Sequence, residues 1–242
     1  RSACRTSPSP CPVASAASSS RCECRDETLS ALDAPLRLAL RDELREILTA
    51  WGTAAVVVTH DFTEAYRLAD RIVVYQQGRV IQSAPRAEIL WQPASEAVAR
   101  IMGLRNILRG SVVKAATDRI QISWRGQTLE AVNSPTRSYL PPAGSPIAFF
   151  IRPEYVRLVR KDRDTPDMLH HMNLMRGRLV GEADFGTVWS LRLRLDEPGA
   201  PAQGDFDLEI EVPQLVYQIL EIDRDRRWEL SIHRGSIHVL PS

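Results

Sequence analysis

No apolar run in these 242 residues approaches the roughly 18 to 20 needed to span a bilayer; the longest clean one is Ala54 to Val58. Residues 1–20 lack an apolar central stretch, so no secretory signal is expected there and the expected location is cytoplasmic. Cysteine is absent after Cys24. Cys4, Cys11, Cys22 and Cys24 crowd the first 24 residues. A disulfide framework would spread its cysteines through the fold, and these spacings match neither a zinc pattern nor a redox Cys-x-x-Cys. Neither sign of charge dominates: 31 Lys and Arg against 30 Asp and Glu leave a net +1. That argues against nucleic acid as a partner, because phosphate binding needs clustered cations. No Gly-x-x-x-x-Gly-Lys-Ser/Thr occurs, so this sequence supplies no P-loop lysine and no backbone cradle for phosphates.

What is present is ordinary globular material, 44% hydrophobic and 25% charged, long enough for one large domain or two small ones. Residues 1–25 stand apart. They are rich in Ser, Ala, Pro, Cys and Arg, with Val13 as the one large aliphatic. Such a stretch cannot bury enough apolar surface to offset its ordering entropy. Two readings stay open: a disordered tail, or a non-native sequence produced by loss of the reading frame upstream of Asp26.

From Asp33 to Ala50 the pattern is helical. Asp33 suits the N-cap and Pro35 falls in the first turn. Leu36, Leu40, Leu44 and Ile47 give one apolar face, and Gly52 ends it. Ala54–Thr59 is expected as a buried strand, fully apolar as parallel strands covered on both faces are. Asp61-Phe62-Thr63-Glu64 has capping-box spacing and opens a helix through Ala69. Ile72–Tyr75, Gln77-Gly78 and Val80–Ile81 predict a hairpin. Short helices are expected near Pro85–Leu90 and Ser95–Met102.

After Gly103 the helical pattern stops, and short alternating strands with Gly/Pro turns continue to Ser242. The expected domains are therefore a tail over 1–25, a first domain over 26–103 and an all-β domain over 104–242. The β domain contains a repeat. Asn106-Ile107-Leu108-Arg109-Gly110 resembles Asn173-Leu174-Met175-Arg176-Gly177, and Ile151–Val159 is matched by Ile232–Leu240. This predicts two related barrel-like modules, about 104–160 and 172–242, with residues 160–172 as linker.

Asp26-Glu27-Thr28-Leu29-Ser30-Ala31-Leu32-Asp33 resembles the end of the Walker B segment plus the D-loop of ABC-transporter ATPases. Val56–Asp61 resembles their H-loop strand and switch histidine. Residues 104–242 resemble the TOBE regulatory domain of importer ATPases of the molybdate/tungstate, sulfate, iron and polyamine groups. The resemblance implies a partial α/β ATPase domain of the P-loop NTPase type, lacking its N-terminal half, and then an all-β, OB-like domain. It maps the catalytic base to Glu27, the aspartate that holds Mg2+ through water to Asp26, and the γ-phosphate contact to His60. Ser30 and Asp33 map to D-loop positions facing a second ATP-binding subunit. The chain departs from the pattern in having Arg21-Cys22-Glu23-Cys24-Arg25 where apolar strand residues belong, and Thr28 where proline belongs. No Leu-Ser-Gly-Gly-Gln and no Q-loop precede Asp26.

The expected function is that of an importer's ATP-binding subunit, coupling ATP hydrolysis to uptake of a small solute, an oxyanion such as molybdate by preference. The implied cofactors are ATP and Mg2+, with this chain alone expected neither to bind nor to hydrolyse ATP. The implied partners are a second ATP-binding subunit, transmembrane permease subunits and, indirectly, a periplasmic or lipoprotein solute-binding protein. The implied location is the inner face of the cell membrane. The alternative is a standalone oxyanion-binding or dimerisation module built from the β domain, with Arg109, Ser111, Arg176 and Arg178 as candidate contacts. Arg152-Pro153-Glu154 is expected to shape a turn, and Trp189, Phe206 and Trp228 to serve as core or interface aromatics.

Overall fold

The computed structural model describes residues 24–25, 34–52, 54–133, 140–159, 170–196 and 205–241, with side chains from residue 43 onward. It divides into two compact units, Arg1–Ala69 and Asp70–Ser242.

In the first unit, strand β1 (Cys24–Arg25) pairs in parallel with β2 (Val56–Val57). Backbone pairing thus reaches into the stretch read as a tail, immediately before Asp26. Helix α1 (Ala34–Trp51) ends at Gly52, which adopts φ +59. The expected strand over Ala54–Thr59 is shorter than its apolar run. Only two residues pair, and Val56, Val57 and Val58 are 52%, 38% and 52% exposed. The physical reason is cover: an all-apolar strand is buried only where neighbours pack on both faces, and among the described residues β1 is its one strand partner. Helix α2 (Phe62–Leu68) comes next, capped by Asp61.

The second unit opens with the hairpin of β3 (Arg71–Gln76) and β4 (Arg79–Pro85). Gln77 and Gly78 both take positive φ, 48° and 79°, the turn whose twist matches antiparallel strands. Helices α3 (Arg86–Trp91) and α4 (Glu96–Ile101) come after it, the latter capped by the Ser95 side chain. The units do not divide near Gly103–Arg105, where the helical pattern ends. Ala99 of α4 lies in one apolar cluster with Phe150 and Leu240, and Arg152 Nη2 donates to the Leu90 carbonyl at 2.9 Å. These contacts bind the short helices to the β strands C-terminal to them.

The remaining strands form two five-stranded antiparallel sheets that share one apolar core. The first half supplies β5 (Asn106–Ala115), β6 (Arg119–Trp124), β7 (Gln127–Val132), β8 (Pro146–Ile151) and β9 (Val156–Leu158). The second supplies β10 (Met172–Asp184), β11 (Val188–Leu195), β12 (Leu208–Pro213), β13 (Arg227–His233) and β14 (Ile237–Val239). Helix α5 (Gln214–Ile219) lies between β12 and β13. One sheet runs β14-β8-β5-β6-β7 and the other β9-β13-β10-β11-β12.

The two halves repeat residue by residue. Asn106 pairs with Ile151 as Asn173 pairs with Ile232, and Gly110 pairs with Ile147 as Gly177 pairs with Trp228. The register shifts between Val112 and Lys114 just as it does between Leu179 and Gly181. The final strands are exchanged. β9 pairs with β13 of the second half, and β14 pairs with β8 of the first. Two separate modules over 104–160 and 172–242 are therefore not what forms, because each half completes its sheet with a strand of the other. In each sheet the edge strands, β7 with β14 and β9 with β12, bring Cα atoms within 8 Å of each other. Each sheet thus curls toward a partly open five-stranded barrel.

Candidate functional site

His60 is the one candidate catalytic residue within the described part of the chain. Asp26, Glu27, Ser30 and Asp33 lie outside it. His60 stands exposed between β2 and α2. Its neighbours on both sides are pinned. The Asp61 carboxylate accepts from the Thr63 and Glu64 amides at 2.8 and 3.2 Å, which caps α2. The Glu64 carboxylate does not return to the cap residue's own N–H, as a capping box requires. It accepts instead from the Thr59 hydroxyl at 2.5 Å, and that hydroxyl accepts from the Asp61 amide at 3.1 Å. The box closes through Thr59, and His60 lies inside it.

The candidate oxyanion contacts fall at equivalent places in the two halves, on strands of different sheets. Arg109 and Arg176, 75% and 76% exposed, ion-pair with Glu96 at 2.9 Å and Glu229 at 3.5 Å. Arg100 first, and then Arg109, hold the Glu96 carboxyl below its ordinary range. An anion would have to compete with a carboxylate for either arginine. Ser111 is half-buried opposite Ser123, and Arg178 is exposed opposite Arg194 and Arg227. The structure does not gather the four around one point. Arg152 opens a 3-10 turn at Pro153, as expected of that motif. Trp189 stacks on Tyr217 with ring centroids 4.0 Å apart. The Tyr217 hydroxyl donates to Glu182 at 2.8 Å, and burial, and then this bond, push its pKa up to about 12.

What sequence reasoning missed is the seam between the halves. Asn106 Nδ2 donates to the Glu209 carbonyl at 2.6 Å, and its Oδ1 accepts from the Glu209 amide at 2.9 Å. Asn173 does the same to Glu130, at 2.9 and 2.6 Å. Each asparagine therefore clamps an edge strand contributed by the other half. The Glu209 carboxylate is covered by Arg105 at 2.5 Å and by the Ser190 hydroxyl. Glu130 pairs with Arg234 at 3.1 Å. Arg125, at the β6–β7 turn, reaches Asp207 at 3.0 Å. The available signal was an asparagine at the start of an otherwise apolar strand, repeated in both halves.

One further cluster joins α3 to the exchanged strand β14. The His238 ring stacks on Phe150 at 4.9 Å and lies 5.7 Å from Trp91, whose ring carries the Arg152 guanidinium at 5.2 Å. His238 Nε2 is buried without a hydrogen-bond partner among the described residues. Burial, and then the Arg152 charge, lower the His238 pKa from its usual 6.5. A histidine with a depressed folded pKa contributes stability that is present above about pH 6.5 and lost as pH falls toward the folded value. Urea unfolding of the Asp70–Ser242 unit is therefore expected to show a falling midpoint below about pH 6.5. His238→Phe keeps the ring and removes the charge, so it should flatten that dependence. An unchanged pH slope in the variant would show that the slope comes from other groups.

No protein-family profile matches the chain. It is similar to the Fe(3+) ions import ATP-binding protein FbpC of Streptomyces avermitilis, 47% identical over 93 residues, covering 38% of this chain and 27% of the relative. The FbpC protein of Streptomyces coelicolor is 45% identical over 93 residues, with the same coverage of 38% and 27%. The spermidine/putrescine import ATP-binding protein PotA of Thermobifida fusca is 35% identical over 142 residues, covering 59% of this chain and 35% of the relative. The chain spans between 27% and 35% of the length of these curated relatives. Among solved structures, the cytoplasmic molybdate-binding protein ModG with molybdate bound aligns with a TM-score of 0.46 and 18% identity, covering 57% of this chain and 97% of that one.

Proposed function

We propose that this chain, which resembles the ATP-binding subunits of ABC importers, is the part of such a subunit that carries the D-loop, the switch histidine and the regulatory β domain. The carrying observation is the His60 locus. The two-residue strand β2, which pairs in parallel with the backbone just before Asp26, is followed after Val58 by Thr59-His60-Asp61, and the helix capped by Asp61 begins at Phe62. On this reading residues 26–103 are a portion of an α/β nucleotide-binding domain. Glu27 is the general base, Asp26 is the Mg2+ aspartate, and Ser30 and Asp33 face a second copy of the subunit. The complete subunit would sit on the inner face of the membrane against permease subunits and couple ATP hydrolysis to solute uptake.

The residues present do not by themselves fit ATP or Mg2+. The sequence lacks the phosphate cradle, and among the described residues no three metal-ligating side chains cluster. The isolated chain is expected to show no Mg-ATP turnover. Joining Asp26 onward to the N-terminal portion of the Streptomyces avermitilis FbpC relative should restore it, and His60→Ala in that chimaera should lower kcat by about 10²-fold or more. Turnover by the isolated chain, or a chimaera indifferent to His60→Ala, overturns the reading.

The solute is proposed to be small and charged. The relatives are named for Fe(3+) and for spermidine/putrescine import, while the preference for an oxyanion such as molybdate comes from the resemblance alone. The compact Asp70–Ser242 unit favours a second reading, in which this β unit binds such a ligand or dimerises by itself. Calorimetric titration with molybdate, tungstate, sulfate, ferric citrate and spermidine separates the two. Heat with an oxyanion that Arg109→Ala or Arg176→Ala abolishes supports the oxyanion preference, and no heat with any oxyanion removes it.

A further inference from the structure

We infer that Glu64 and Thr59 are positioning residues for His60, acting as a hydroxyl-relayed clamp on the backbone around it; this rests on the proposed role of His60. A threonine hydroxyl has one proton to donate and lone pairs to accept with. Here the proton goes to Glu64 Oε2 at 2.5 Å, which leaves a lone pair facing the Asp61 amide at 3.1 Å. The Asp61 carboxylate and carbonyl are fixed in turn by the Thr63, Glu64 and Ala65 amides, the last at 3.0 Å. The chain is thus held one residue before His60 and one residue after it, and both anchors lead to a single carboxylate on the first turn of α2.

His60 is exposed and lies three residues past the end of β2 at Val57, so no strand ladder holds its backbone. A backbone held on both sides restricts the imidazole to its own rotamers, which is what a group that must meet a reacting phosphate requires. Glu64 touches no substrate in this scheme. It sets the Thr59 hydroxyl, which sets the Asp61 amide, and the peptide bonds of His60 lie between them.

Two measurements test this. The first uses the 242-residue chain itself, with amide exchange monitored by NMR. Thr59→Val and Glu64→Ala should speed exchange of the Asp61 amide about tenfold, while Thr59→Ser leaves it near wild type. The second uses the FbpC chimaera. Glu64→Ala should lower kcat about tenfold with KM for ATP within about twofold, and Glu64→Gln should retain most activity. In a His60→Ala background Glu64→Ala should have no further effect, because a positioning residue has nothing left to position. An unchanged Asp61 exchange rate in both variants, or a Glu64→Ala loss that persists without His60, overturns the clamp. A chimaera without activity overturns the proposed function instead, and the exchange measurement still decides the clamp.

Discussion

Gly110→Ala is expected to destabilise the β unit by about 3 kcal/mol, near the upper end for overpacking a filled site. A Cβ built on Gly110 would lie 2.5 Å from the Ser123 carbonyl oxygen and 2.8 Å from Ile122 Cγ2. The first neighbour is backbone of the paired strand β6 and cannot rotate away. Ile122 is fully buried, so its side chain has nowhere to go. Relief requires β5 and β6 to separate at the centre of their sheet. Gly177 occupies the equivalent place in β10, with its added Cβ 2.8 Å from the Arg194 carbonyl oxygen. The slightly larger gap predicts a smaller cost, about 2 kcal/mol. Gly181, four residues along the same strand, is the control. Its nearest contact is the Arg192 side chain at 3.6 Å, so Gly181→Ala should change stability by less than about 0.5 kcal/mol or raise it slightly. Thermal unfolding should place Gly110→Ala roughly 6–12 °C below wild type. A shift no larger than that of Gly181→Ala would mean that β5 and β6 lie farther apart in solution.

The local elements were largely legible because their signals are local. Asp61, Ser95 and the Gln77-Gly78 turn each act through hydrogen bonds or dihedrals within a few residues, and all form where expected. The repeat was legible because both copies keep Asn-x-x-Arg-Gly, the Asn to clamp and the Gly to admit a neighbouring backbone. What could not be read is which strand pairs with which. Alternation tells β9 and β14 which face to bury, but both halves offer the same face and the same register. The exchange is therefore invisible in either half alone. The division of the chain was misplaced for a related reason. Val98 and Ala99 are fully buried, yet a helical pattern does not say whether its apolar side packs on the segment before it or the segment after it. At the candidate site the Asp61-capped helix that follows His60 was legible, while the partners of Arg109 and Arg176, at positions 96 and 229, were too distant in sequence to suggest themselves.

Asn106→Leu is expected to cost about 3 kcal/mol, because it strips two buried backbone groups of their partners at once. β12 is an edge strand, and an edge presents N–H and C=O groups that the sheet does not satisfy. Solvent normally satisfies them. Here the first half covers that edge, and Asn106, 4% exposed, offers one donor and one acceptor in place of a further strand. Leucine fits the apolar surroundings but leaves the Glu209 amide and carbonyl unanswered. Asn106→Asp should be worse still, since it removes the donor and places a second carboxylate beside Glu209. Asn173→Leu at the equivalent seam should cost less, about 1–2 kcal/mol. Asn173 is only half-buried, so water can reach Glu130 when the amide is gone. The two seams share no partner, so the double variant should lose the sum of the single losses within about 0.5 kcal/mol. Urea unfolding monitored by tryptophan fluorescence measures all four. Equal losses at the two sites would mean that burial does not set the cost. A double variant much less destabilised than the sum would mean that breaking one clamp already frees both clamped edge strands, β7 and β12, so that the halves separate as a unit.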